Sequence, residues 1–153
     1  MQIDKELMMI DIDFQTKEET LESMGTRLYE LGYVTDDFIE NVLDREENFP
    51  TGLPTSPYAV AIPHTDTDKV IEPGIALATL KEPVPFSSMG NAELEVGVKI
   101  VFMLAVDAPG EQVTTLQNLI EMVQDERVVS NLATVRSIDE CSKVLEDFKA
   151  QKN

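Results

Sequence analysis

Val98-Lys99-Ile100-Val101-Phe102-Met103-Leu104-Ala105-Val106 is an apolar run broken by a single charge. A strand with one wet face alternates apolar and polar residues. A continuous run marks a strand covered on both faces. This stretch therefore predicts a central strand with helices above and below it. Further strands are read over residues 7–12, 58–62 and 74–80. Residues 81–97 hold Pro83, Pro85 and Gly90, and read as a loop with a minor strand.

Helical spacing dominates on both sides of these strands. Thr16 and Glu19 have capping-box spacing, and Leu21, Met24, Leu28 and Leu31 follow on one face until Gly32 stops the helix. A second helix is read from Thr35, with Phe38, Ile39, Val42 and Leu43 inward, ending near Asp44-Arg45-Glu46-Glu47. Residues 49–57 carry three prolines and a glycine and read as a loop. After Asp107-Ala108-Pro109-Gly110 the period changes, and Val113, Leu116, Leu119, Ile120 and Val123 share a helical face. A short helix is read around 128–132. Ser137 and Glu140 form another capping box before Ile138, Val144, Leu145 and Phe148. The expected fold is α/β: one domain over residues 1–153, with a mixed sheet sandwiched between helical layers.

The composition bounds the function. At 153 residues the chain is long enough for a real core. No apolar run approaches the roughly 20 residues of a membrane-spanning helix. The first residues are acidic and show none of the features of a secretion signal, and Cys141 is the single cysteine. A cytoplasmic protein with no direct membrane insertion is expected. Twelve basic against 29 acidic residues leave a net charge of −17. Such a surface repels nucleic acid, and serves either solubility alone or the steering of a basic protein partner.

The one histidine follows a strand exit, in Tyr58-Ala59-Val60-Ala61-Ile62-Pro63-His64-Thr65-Asp66. Proline cannot donate to a ladder, so pairing stops at Pro63. His64 is then held firmly at the rim of the sheet. Imidazole is largely neutral and nucleophilic near pH 7. The loop of residues 49–57 returns the chain from the second helix and brings Arg45 and Glu46 near that strand. Arginine offers forked donors that fit phosphate oxygens. A histidine nucleophile beside an arginine suits acceptance of a phosphoryl group, although a lone histidine in a loop is by itself more often a surface residue.

Arg45-Glu46, then Phe49-Pro50-Thr51-Gly52-Leu53, then Ala59-Val60-Ala61-Ile62-Pro63-His64 resembles enzyme IIA of the bacterial sugar phosphotransferase system, mannitol/fructose class. The resemblance spans nearly the whole chain. It implies that His64 takes a phosphoryl group from the phosphocarrier protein HPr. His64 would pass it to a cysteine of a cognate enzyme IIB, and so to the membrane enzyme IIC. It assigns phosphate neutralisation to Arg45, with Thr51 and Thr65 as further hydroxyl donors. Many members carry a second histidine after the central strand; Gln112 stands there here and implies phosphate binding without a titrating base. The glutamine and the Phe-Pro-Thr-Gly run look closest to the galactitol branch. The alternative is a regulatory module of the same fold, of nitrogen type or from a transcription regulator.

Other motifs carry less. Asp66, Asp68 and Glu72 lack the spacing of a calcium loop, and one histidine with one cysteine excludes an ordinary structural zinc site. Neither a metal nor a cofactor is implied. Cys141 reads as a packed small hydrophobe.

Overall fold

A computed structural model gives the fold and describes residues 3–152. Five strands form one mixed sheet: β1 (Met8–Ile12), β2 (Gly52–Leu53), β3 (Ala59–Ala61), β4 (Gly74–Ser88) and β5 (Asn91–Ala105). Five α-helices accompany them: α1 (Lys17–Glu30), α2 (Phe38–Asn48), α3 (Pro109–Val123), α4 (Glu126–Thr134) and α5 (Ile138–Lys152).

Residues 98–105 of β5 lie in the middle of the sheet. β5 pairs antiparallel with β4 on one side and parallel with β3 on the other. β4 also pairs parallel with β1. Alternate residues divide between two cores. Ala76, Ala78, Leu80, Val101 and Met103 face α1 and α2, which supply Leu21, Met24, Leu28, Phe38 and Val42. Ile75, Leu77, Ile100, Phe102 and Leu104 face the other side, where Leu119, Met122, Val129, Leu132 and Cys141 pack. A strand buried on both faces needs apolar residues at every position, which explains the unbroken run.

Local signals set the helix ends. The Thr16 hydroxyl accepts from the Glu19 amide at 3.0 Å, and the Glu19 carboxylate reaches back to the Gln15 amide at 3.2 Å. Gly32 takes the left-handed conformation (φ +86°) and completes a Schellman cap, with Tyr33 N–H bonded to the Leu28 carbonyl at 2.9 Å. Ser137 caps α5, its hydroxyl accepting from the Glu140 amide at 3.1 Å.

Four sequence expectations are corrected. β4 and β5 form one long hairpin through residues 81–97, in place of the expected loop with a minor strand. A bulge between Thr79 and Val84 takes up Pro83, Pro85 lies in register opposite Gly97, and Val84, Phe86 and Ser88 point inward while both prolines are exposed. Within the expected loop at 49–57, Gly52 and Leu53 pair with Ala61 and Val60. Helix α2 starts at Phe38 rather than Thr35, because residues 36–37 form a turn first. Val113, expected inward, is 56% exposed.

Candidate functional site

Strand β3 lies between β2 and β5, so its exit is braced on both sides. Pro63 ends its donation, yet the Pro63 carbonyl still accepts from Leu104 N–H at 3.0 Å. The next residue, His64, is therefore fixed at the sheet rim and half-buried. Its Nδ1 lies 2.9 Å from the Ile62 carbonyl oxygen. A carbonyl can only accept, so Nδ1 holds the proton and the neutral ring carries its lone pair on Nε2. Burial holds the imidazole below its ordinary pKa of 6.5, and the nearby Arg45 charge acts in the same direction; the Ile62 carbonyl opposes both. The ring is thus neutral and nucleophilic at pH 7.

Arg45 sits in the last turn of α2. Its Nη1 lies 4.0 Å from Asp66 Oδ1, and its guanidinium lies over the Phe49 ring at 5.4 Å. Its Nε is buried without a hydrogen-bond partner. A guanidinium with spare donors next to an imidazole suits an anionic oxygen carried by that imidazole.

Beneath these groups lies Glu46, only 2% exposed. Its Oε2 accepts from Thr51 N–H and its Oε1 from the Thr51 hydroxyl, each at 2.8 Å. The Thr51 oxygen in turn accepts from Ile62 N–H at 3.2 Å. Thr51 is 3% exposed with its hydroxyl proton committed to Glu46, so it supports the strand rather than facing a ligand. Sequence reasoning placed Glu46 in a motif and gave it no role. The available signal was a Glu five residues before a Thr-Gly pair.

Gln112, in the first turn of α3, donates through Nε2 to the Thr65 carbonyl at 2.8 Å. It meets the residue after His64 through the backbone. The Thr65 side chain is buried. Asp66 faces Arg45, and the imidazole Nδ1 faces the Ile62 carbonyl. Asp66, Asp68, Asp107 and Glu111 are exposed on segments flanking the site. Among the described residues no helix is long and apolar enough to cross a membrane.

A histidine at a braced strand exit, within the influence of an arginine, on this three-layer fold places the chain with the enzyme IIA proteins. The solved complex of Escherichia coli mannitol enzyme IIA with phosphorylated enzyme IIB matches with a TM-score of 0.78. It is 27% identical and the match covers 95% of this chain and 98% of that one. The chain belongs to the EIIA 2 family of the phosphoenolpyruvate-dependent sugar phosphotransferase system, whose profile matches residues 1–148. It is 29% identical over 124 residues to the galactitol-specific EIIA component of Escherichia coli K12, covering 81% of this chain and 82% of that one. It is 30% identical over 133 residues to the mannitol-specific EIICBA component of the same strain, covering 85% of this chain. There the chain spans 20% of the longer protein. Components of this family are phosphotransferases that hand phosphoryl groups to enzyme IIB.

Proposed function

We propose that this protein is a phosphohistidine carrier that accepts a phosphoryl group from HPr on His64 and passes it to a cysteine of a cognate enzyme IIB. The observation that carries this reading is the Nδ1 contact to the Ile62 carbonyl, which leaves the Nε2 lone pair available on a ring acted on by Arg45. Nε2 attacks the phosphorus of the donor's phosphohistidine. The new N–P bond forms as the donor's P–N bond breaks, and that electron pair returns to the donor imidazole. Nδ1 keeps its proton, donated to the Ile62 carbonyl, throughout. In the second step a thiolate of enzyme IIB attacks the phosphorus, and the electron pair of the breaking bond returns to Nε2. Arg45 neutralises charge on the equatorial oxygens in both steps. Through enzyme IIB the group reaches a membrane enzyme IIC and a sugar or sugar alcohol. Galactitol is the reading that the relative of matching length supports. The protein acts in the cytoplasm.

Incubation with enzyme I, HPr and phosphoenolpyruvate tests the first step. One acid-labile phosphate per chain is expected, absent in His64→Gln. Full phosphorylation of His64→Gln overturns the assignment. Adding galactitol-type enzyme IIB, enzyme IIC and galactitol should then yield the sugar phosphate. A phosphorylated protein that transfers to no sugar-specific enzyme IIB belongs to a regulatory branch instead.

A further inference from the structure

We propose that Glu46 is a positioning residue for phosphoryl transfer: through Thr51 its buried carboxylate sets the strand exit that orients His64, and through α2 it aims Arg45. The inference rests on the carrier reading and adds a residue to it. A carboxylate with only 2% exposure and neutral direct partners is a costly element of a core. Well-packed apolar residues serve stability at least as well as a buried charge. What a carboxylate offers here is direction. Its two oxygens accept from the amide and the hydroxyl of one residue, Thr51, so the α2 end cannot rotate or slide against β2 without breaking a bond.

Two consequences follow from that lock. Consecutive helical residues lie about 100° apart around the axis, as 3.6 residues per turn requires. With Glu46 pinned inward, Arg45 is turned toward the rim, where its charge acts on His64 and its Nη1 approaches Asp66. On the other side, the Thr51 oxygen receives Ile62 N–H at 3.2 Å, and the Ile62 carbonyl receives the His64 Nδ1 proton at 2.9 Å. The nucleophile and its charge-neutralising partner are thus referenced to the same carboxylate. Lys17 contributes only at longer range; its ammonium pairs with Glu18 and Glu47.

The test uses the full chain with Glu46→Gln, Thr51→Val and Thr51→Ser. In Glu46→Gln the amide forces the Thr51 hydroxyl to reverse: Gln Nε2 must donate where the carboxylate accepted, in competition with Ile62 N–H. No charge stays buried, so the melting temperature at pH 7 should hold or rise. A residue kept for structure alone would lower it. Two readouts then report position. Nitrogen-15 shifts of the His64 ring, measured without phosphate, should move from one dominant Nδ1–H tautomer toward a mixture in Glu46→Gln and Thr51→Val. The phosphorylation rate by HPr should fall by about tenfold to a hundredfold, as small misplacements of reacting groups do. Thr51→Ser, which keeps the hydroxyl, should recover the tautomer and most of the rate. Folded Glu46→Gln with wild-type ring shifts and wild-type rate overturns the proposal. If wild type itself takes no phosphate, the carrier reading fails, and the ring shifts still decide whether Glu46 orients His64.

Discussion

The Ile62 carbonyl accepts the Nδ1 proton of His64 from two residues back along the same strand exit, at 2.9 Å. Donor and acceptor belong to one short segment, and its Ile62 N–H is itself held by Thr51, so the tautomer depends on how that segment is set. The Nδ1–H tautomer puts the ring lone pair on Nε2.

The first consequence is a pH profile. His64 is held below its ordinary pKa of 6.5, chiefly by burial and then by Arg45. The rate of phosphorylation by HPr should therefore stay flat down through neutrality and fall only below pH 6.5. Stability has the same sign. The fold favours the neutral ring, so this contribution is present above 6.5 and is lost as the pH drops from 6.5 through the lower folded value. Proton NMR titration of the one imidazole reads the folded pKa directly. A midpoint above 6.5 would sink the expectation.

Arg45 should matter to rate and hardly to fold. It is half-buried, its Nε is unpaired, and its ion pair to Asp66 is long at 4.0 Å and exposed to solvent. Arg45→Ala should slow phosphorylation by about a hundredfold to a thousandfold, the usual loss for a charge-stabilising donor. It should also let the His64 pKa rise, since the arginine charge acts to lower it. Arg45→Lys should recover part of the rate, because an ammonium lacks the planar fork. Wild-type rates in a folded Arg45→Ala protein would refute this role.

Much of this arrangement can be read before folding, and the exceptions have physical reasons. His64 is singled out by the ordered Arg45-Glu46, Thr51-Gly52 and Ile62-Pro63-His64 elements; by itself a lone imidazole in a loop is more often a surface residue. The central strand is legible because both of its faces are apolar. The β4–β5 hairpin is hidden by Pro83 and Pro85, which read as breakers; both sit on the exposed side of a bulged strand whose inward residues are Val84, Phe86 and Ser88. Glu46 is hidden because a carboxylate in the last turn of a helix normally faces water. Only the return of the chain to Thr51 supplies the partners that let it stay buried. The contact of Gln112 with Thr65 joins residues 47 apart, which no local pattern encodes.

The acidic surface should act on association. The net charge is −17, and Asp66, Asp68, Asp107 and Glu111 are exposed around the site. A basic partner face should be steered there, and steering weakens as salt shortens the screening length to about 8 Å at physiological ionic strength. Stopped-flow measurement over a salt series should show the association rate with HPr falling steeply, with the dissociation rate nearly constant. An association rate indifferent to ionic strength would assign the charge to solubility alone.

Gln112 supports the site without titrating in it. Its amide holds the Thr65 carbonyl at 2.8 Å, one residue past His64, and an amide does not change charge between pH 6 and 8. Wild type should therefore show a single imidazole ionisation in NMR titration. Gln112→His places a second imidazole over the same loop. Two imidazoles in one site repel when both are protonated, so their titrations should separate, with the His64 curve shifted from its wild-type position. The variant also gives up the amide clip, and its phosphorylation rate should fall at acid pH, where the new ring is cationic and adds to the Arg45 charge on His64. A His64 curve that superimposes on wild type would mean that position 112 supports the backbone of this loop and has no electrostatic access to the nucleophile.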